Sequence, residues 1–491
     1  MPARQNLSSA GPGEKTENTA FDLPAPQPGK GFPELCWEGK RPLSSIPCFP
    51  ARLKERYGDS ADGWMNRIYL GDNLRVMGHL LKEFRGKVDL AYIDPPFDSK
   101  ADYKKNIVLK GSSARSAHAS FEEKQYSDIW VNAEYLQFIY ERLILIRELL
   151  SNNACIFVHC DFRVNYLIRA ILEEIFGPGK IVNEIIWWYK RWSGAAKSFQ
   201  RMHDTIFYYK KGNDYTFNVQ YQKYSHPDAI EDTVRGVVGG KLVRLKDENG
   251  NFIKRTLENK GVPCHDVFEI QHLQPTARER TEIGYPTQKP EKLLERIILA
   301  SSNPGSLVLD CFMGSGTTQA VAMKSGRRFI GADVNPGAVQ TATRRLNGII
   351  AEKKKEPRGA GGDARLYLNF EVYSVNDCAL AFKEESEAEI VKESGELLVR
   401  RFLPRRLLRK LSVPEENVED WRVFVETVAV DWNYDGEVLR PSVYDCPGRN
   451  GLVGGRYRIP EGHGAIRVKI TDLLSESLER TVDFERKPRM E

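Results

Sequence analysis

The sequence predicts an α/β fold in which helices cover both faces of a parallel sheet. Three observations predict it: strand-length apolar runs alternate with helix-length amphipathic runs over residues 65–186, the alternation lapses over 187–282, and it returns from residue 283. Strands separated by helices run parallel, because a crossover of that length carries the chain back to the sheet edge from which it set out. The 491 residues, 41% of them hydrophobic, are ample for such a core.

In order, "RIYLGD" (67–72) reads as a short strand and "NLRVMGHLLKEF" (73–84) as a helix with apolar residues three and four apart. "VDLAYID" (88–94) is a buried strand, "NAEYLQFIYERLILIRELL" (132–150) a long amphipathic helix, and "ACIFVHCD" (154–161) another strand. After "NEIIWWYKR" (183–191) the regularity fades. It resumes with the helix "KPEKLLERIILASS" (289–302), the strand "SLVLDCF" (306–312), the helix "TTQAVAMKSG" (317–326) closed by Gly326, and the strand "RRFIGADV" (327–334). Residues 1–64 begin with a stretch rich in Pro, Gly, Ser and charge, expected to be a disordered or loosely attached tail to about residue 35. From 363 to 491, short turn-separated runs such as "WRVFVETVAVDWNYD" (421–435) and "GAIRVKITDLL" (464–474) predict an appended β-rich accessory domain.

Composition narrows the function. No apolar run approaches the roughly 18 residues of a membrane span, and the N-terminus lacks the apolar segment of a secretory signal, so a cytoplasmic protein with no membrane partner is expected. The eight cysteines include no CxxC pair, which argues against a structural metal or a disulfide framework. The net charge of +5 is mild, but basic residues cluster in "WWYKRWSGAAKSFQRMHD" (187–204) and "RRFLPRRLLRK" (400–410), which permits nucleic-acid binding.

Two segments carry chemistry. In "VDLAYIDPPFDSK" (88–100) the strand ends in Asp94, Pro95, Pro96 and Phe97. Asp94 is an acceptor, the two prolines have no N–H and present only carbonyls, and Phe97 offers a flat apolar face, a combination suited to a planar group bearing an exocyclic amine. In "SLVLDCFMGSGTTQAVAMKSGRRFIGADVNP" (306–336), Gly314 and Gly316 occupy the turn between a strand and a helix. Such glycines admit a ligand to the backbone or serve helix–strand packing. Asp333 ends the next strand, 23 positions after Asp310, where a nucleoside ribose would find its acceptor. A nucleoside triphosphate is disfavoured because no Gly-Lys-Ser/Thr follows the turn.

With "DPPF" (94–97), "DCFMGSGTT" (310–318) and "YPTQKPEKLLERIILASSNPGSLVLD" (285–310), supported by "GDNL" (71–74), "FVHCD" (157–161) and "HDTIFYYKK" (203–211), the sequence resembles the amino-methylating DNA methyltransferases that act on adenine N6 or cytosine N4. The motif order resembles the permuted β group, which includes modification subunits of restriction systems. The resemblance implies a Rossmann-like S-adenosylmethionine-dependent methyltransferase sheet, with a catalytic half at 65–186, a target-recognition insertion at 187–282 and a cofactor-binding half at 283–362. It implies that Asp94 and the Pro95 carbonyl hold the target amine, beside Pro96, and that Phe97 stacks on the base. Phe312, Gly314, Gly316 and Thr317 would surround the methionine part of S-adenosyl-L-methionine, helped by Asp310, Thr287 and Lys289; Asp333 would bind the ribose and Asp72 would lie near the adenine. Phe97 and Cys311 depart from the usual Tyr and Pro.

An amine paired inside a duplex cannot reach a buried methyl donor, so base flipping on double-stranded DNA is expected. Lys190, Arg191 and Arg201, interleaved with Trp187, Trp188, Tyr189 and Trp192, are the expected backbone-gripping residues. The bland alternative makes the tryptophans core and the charges a solvated face. His159 and His203 read as structural histidines, and Pro263-Cys264 as unconnected with the chemistry. Asp at the head of the tetrapeptide resembles the adenine-N6 members more than the cytosine-N4 members, which implies adenine N6 as the preferred target. Cytosine N4, an RNA or protein-amide substrate, and a non-catalytic DNA-binding subunit remain as alternatives, and the reading leaves room for an endonuclease subunit or a second copy of the chain as partners.

Overall fold

The structure is a computed structural model and describes residues 20–26, 34–97, 101–110, 120–128, 132–191, 197–223, 231–256, 261–274, 276–355, 367–375, 386–448 and 450–482. Ten strands form its central sheet: β1 (Ala51–Tyr57), β2 (Arg67–Leu70), β3 (Val88–Ile93), β4 (Leu150–Cys160), β5 (Ile181–Trp188), β6 (His203–Lys210), β7 (Val267–Glu269), β8 (Leu307–Asp310), β9 (Arg328–Asp333) and β10 (Phe370–Val375). Their order is β7-β5-β6-β4-β3-β8-β9-β2-β10-β1. The run from β4 to β10 is parallel throughout; β6 is antiparallel to both neighbours, and β1 closes the far edge antiparallel to β10.

Helices α1 (Asn73–Phe84), α2 (Asn132–Leu149) and α3 (Asn165–Phe176) pack one face, while the short α4 (Arg278–Ile283) leads to α5 (Glu291–Ser301), α6 (Thr317–Lys324) and α7 (Pro336–Lys355), the last three covering the other face. The period-2 geometry of a strand explains how one apolar run serves both cores: Ala91 and Ile93 of β3 enter the first, Leu90 and Tyr92 the second. Such burial stabilises by about 1.5–3 kcal/mol per large aliphatic side chain. From β3 the chain crosses through α2 to β4 on one side, and from β8 it crosses through α6 to β9 on the other. Winding therefore reverses between the adjacent strands β3 and β8, which opens a crevice at their carboxyl ends. Among the described residues no helix is long and apolar enough to cross a membrane.

Several expected boundaries change. The tail expected to about residue 35 gives way at Ala20, because Ala20–Asp22 pairs with Ser45–Pro47 and Leu23 is buried in the first core; residues 1–19 and 27–33 lie outside the described residues. The irregular segment 187–282 contains β6 and β7, both strands of the central sheet, so the departure from the sheet runs over 211–266. That departure carries two-stranded excursions such as Arg235–Val238 with Lys241–Arg244. The C-terminal domain does not begin at 363, since β10 lies beside β2 in the main sheet. Beyond it, a three-stranded sheet and a four-stranded sheet share a core of Val428, Val430, Trp432, Ile466 and their neighbours, as the β-rich reading expects. An antiparallel hairpin, Ala101–Val108 with Ser120–Asp128, was not anticipated. In the basic segment 400–410, Arg400, Arg405 and Arg406 each meet glutamates within the domain, and Leu407 and Leu408 are buried in α8 (Arg405–Leu411).

Candidate active site

The crevice holds a cavity of about 300 Å³ lined from four strand ends. At the end of β3, Asp94 has a side chain 19% exposed and forms an ion pair with Lys289, which reaches its Oδ2. Its other oxygen, Oδ1, is buried without a hydrogen-bond partner. Pro95, Pro96 and Phe97 line the same cavity, with the Lys289 ammonium 5.5 Å from the centre of the Phe97 ring.

At the end of β8, Asp310 uses both oxygens to brace the glycine turn. Oδ1 accepts from the Phe312 amide at 3.0 Å and Oδ2 from the Thr318 hydroxyl at 2.6 Å. Burial pushes its carboxyl up to about 7 against those bonds, with the charges of Asp94 and Asp333 adding to the rise. Gly314, at φ +52°, donates its amide to Asp333 Oδ2 at 2.8 Å, and Asp333 Oδ1 accepts from the Asn335 amide at 2.8 Å. The turn and the second acid are thus one hydrogen-bonded unit. Gly316 behaves differently: its backbone is left-handed at +72°, and an added Cβ would stand 2.7 Å from the Ala342 Cβ on α7. It packs closely against α7.

At the end of β2, Asp72 lines the cavity but caps α1, accepting from the Leu74 and Arg75 amides, while its Oδ2 takes a hydrogen bond from Arg142 at 3.0 Å. Arg142 also donates to Asn73 and lies 3.7 Å over the Phe138 ring. Phe312 meets Phe138 edge-on, giving the cavity an aromatic wall, and Thr287 lies on its rim. Thr317 is engaged by Arg345, whose guanidinium also binds Glu291, tying the turn to α5.

The expected DNA-contacting residues lie at the same sheet edge. Lys190 and Arg191 follow β5, Arg201 precedes β6, and the Arg201 guanidinium covers the Phe162 ring at 3.9 Å. Trp187 belongs to the core: it is 3% exposed and donates Nε1 to the Ile270 carbonyl at 2.6 Å, because it faces inward from a sheet strand. Trp188, on the opposite side of that strand, is 38% exposed, and Trp192 lies outside the described residues.

These groups suit a nucleoside that carries an amino-acid chain: carboxylates for hydroxyls and an ammonium, aromatic walls for a base, and a strand-end acceptor facing outward beyond it. A family model described as DNA methylase, of the N6/N4 type, matches residues 88–344, more than half of the chain. The chain belongs to the N6/N4 DNA methylase family. It is 32% identical over 267 residues to the Type II methyltransferase M1.MboII of Moraxella bovis, covering 53% of this chain and 89% of that protein. M.EcaI of Enterobacter cloacae is 26% identical over 385 residues, covering 68% and 78%. Among solved structures, the M1.HpyAVI–SAM complex is 21% identical with a TM-score of 0.35, covering 57% of this chain and 98% of that one. The cytosine-N4-specific PvuII methyltransferase is 15% identical with a TM-score of 0.38, covering 63% and 92%. The methylase takes its methyl group from S-adenosylmethionine.

Sequence reasoning missed Arg142, Arg345 and Tyr285, which support or line the site, although Tyr285 stands inside a quoted motif. His159, read as structural, is buried and hydrogen-bonded to Tyr92 and Asp204, and its Nδ1 lies 3.8 Å from Asp94 Oδ1.

Proposed function

We propose that this methylase transfers a methyl group to N6 of adenine in duplex DNA after flipping the base into the cavity. One observation carries the reading: a strand-end carboxylate, Asp94, has an oxygen with no hydrogen-bond partner beside the cofactor turn. An aromatic amine is a poor nucleophile while its lone pair is delocalised. Asp94 Oδ1 and the Pro95 carbonyl would accept its two hydrogens and turn the nitrogen towards sp³ geometry, with its lone pair aimed at the donor. Phe97 would stack on the base. Lys289, paired with Asp94 Oδ2, would hold the carboxylate in place.

S-adenosylmethionine supplies an electrophilic methyl group when bound. Asp333 would receive the ribose hydroxyls, Phe312, Gly314 and Thr317 would flank the methionine part with Asp310, Thr287 and Lys289 nearby, and Asp72 with Asn73 would line the adenine end. Gly316 would act through packing. After transfer the amine's extra proton would pass to Asp94 or to water. Asp at the head of the tetrapeptide resembles the adenine-N6 members, and the larger purine gains more from stacking on Phe97. The test is digestion of duplex DNA after reaction with labelled S-adenosylmethionine, followed by chromatography of the nucleosides. Label in N6-methyladenine is expected; label in N4-methylcytosine would overturn the base assignment and keep the mechanism.

Lys190, Arg191 and Arg201 would grip the DNA backbone on either side of the flipped base.

A further inference from the structure

His159 is wholly buried on β4, directly behind the Asp94 carboxylate. Its Nε2 lies 3.4 Å from Asp204 Oδ2 on β6, and its Nδ1 lies 3.0 Å from the Tyr92 hydroxyl on β3 and 3.8 Å from Asp94 Oδ1. The Tyr189 hydroxyl donates to the same Asp204 oxygen at 3.2 Å. The ring cannot swing away, since Trp187 abuts it edge-on at 5.4 Å and Phe97 lies 5.6 Å from it on another side. We propose that Asp204, acting through His159, is a positioning residue that turns the Tyr92 hydroxyl hydrogen away from Asp94 and so keeps Asp94 Oδ1 a vacant acceptor for the target amine.

The directions of the hydrogens follow from the partners. Burial alone would push the Asp204 carboxyl up, yet the hydrogen bond from His159, the Lys289 charge and the hydrogen bond from Tyr189 hold it below its ordinary value. As a carboxylate it can only accept, so the imidazole donates from Nε2 and, in its neutral form, keeps a lone pair on Nδ1. The Tyr92 hydroxyl then donates to Nδ1. In that form Asp94 Oδ1 and His159 Nδ1, 3.8 Å apart, are two acceptors with no hydrogen between them, and Asp94 Oδ1 has no hydrogen-bond partner. The opposite tautomer would aim an N–H at Asp94 and deprive the tyrosine hydroxyl of its acceptor. That N–H would contest the site that the amine must occupy.

The inference rests on the reading of Asp94 as the amine's acceptor, and the experiment separates the two. After the modified position has been mapped with wild-type protein, binding of duplexes carrying adenine or unsubstituted purine at that position is compared for wild type, Asp204→Ala and Asp204→Glu, together with kcat and cofactor affinity. Wild type should prefer the amine-bearing base by about tenfold or more, the yield of one hydrogen bond to a charged group. Asp204→Ala should lose most of that preference and at least about tenfold in kcat while cofactor affinity stays as in wild type, and Asp204→Glu should recover part of both. Nitrogen NMR of wild-type protein labelled at histidine should show His159 with hydrogen on Nε2 alone, its signals identified by their loss in His159→Gln. Hydrogen on Nδ1 in wild type, an unchanged base preference in Asp204→Ala, or a loss of cofactor affinity in step with activity would each overturn the proposal. If wild type labels cytosine N4, the adenine assignment fails and the same comparison is made with 2-pyrimidinone in place of cytosine.

Discussion

Two aspartates on adjacent strand ends do opposite work. Asp310 has both oxygens engaged and is sealed from water, so it shapes the turn; Asp94 leaves one buried oxygen without a partner and lines the cavity. Asp94→Ala should lower kcat by about 10²-fold or more, as removal of a group that acts at the reacting atom does, with cofactor affinity preserved in calorimetry. Activity near wild type would remove Asp94 from the mechanism. Asp310 predicts a pH effect on stability instead. Its carboxyl titrates near 3.8 when unfolded and at about 7 when folded, so between those values the native state binds more protons than the unfolded one. Its contribution is complete below about pH 4 and is lost as pH rises through about 7. The stability of wild type relative to Asp310→Asn, followed by denaturant unfolding, should therefore decline from about pH 4 to about pH 7 and then level off; a pH-independent difference would mean that the group is ionised throughout.

At the scale of elements, Gly316 packs the glycine turn against α7. Gly316→Ala should cost roughly 1–3 kcal/mol, from overpacking against Ala342 and from its left-handed backbone. Ala342→Gly in the same chain should return part of that loss, because it removes the nearer of the two Ala342 atoms that an added Cβ would meet, so the double variant should be more stable than the sum of the two single changes in urea titration. The sequence discloses such elements unevenly. α1 is legible to the residue because Asp72 caps it and its apolar face repeats every three or four positions, and β3, β8 and β9 are legible as buried runs beside their turns. β6 and β10 are not, since "HDTIFYYK" lies in an irregular stretch and "FEVYSV" follows a long break; their identity comes from neighbours far off in the chain. The candidate site divides in the same way. Asp94, Gly314 and Asp333 sit in local motifs, but the pairing of His159 with Asp204, 45 positions apart, exists only once β4 and β6 come together, and the close packing of Gly316 on α7 exists only once that helix lies against the turn.

At the scale of the whole molecule, the C-terminal domain is joined to the sheet through β1. Lys469 meets Glu55 in a buried ion pair, Arg344 of α7 meets Glu426 at 2.9 Å, and Leu439 exchanges backbone hydrogen bonds with the Lys54 carbonyl and the Arg56 amide. Lys469→Met or Glu55→Gln alone should destabilise by about 3–5 kcal/mol, because each leaves a buried charge uncompensated, whereas the double change should cost less. Equal losses that add in denaturant titration would show two independent groups. The proposed DNA contacts make a different demand: replacing Lys190, Arg191 and Arg201 with Ala should reduce the salt dependence of binding, measured as the slope of log affinity against log salt, by up to about 0.9 for each phosphate that is no longer neutralised. An unchanged slope would assign these residues to the solvated surface. The strand order also sets a timetable for the nascent chain. β3 is synthesised long before β8, its neighbour in the sheet, and Arg56 finds Glu371 only 315 positions later. At about 5–20 residues per second, a ribosome needs on the order of 10–50 s to travel from Asp94 to Asp333. Through that interval β3 has one unpaired edge and β2, whose neighbours are β9 and β10, has two, so Arg67–Leu70 and Val88–Ile93 are segments for which a chaperone would matter during translation.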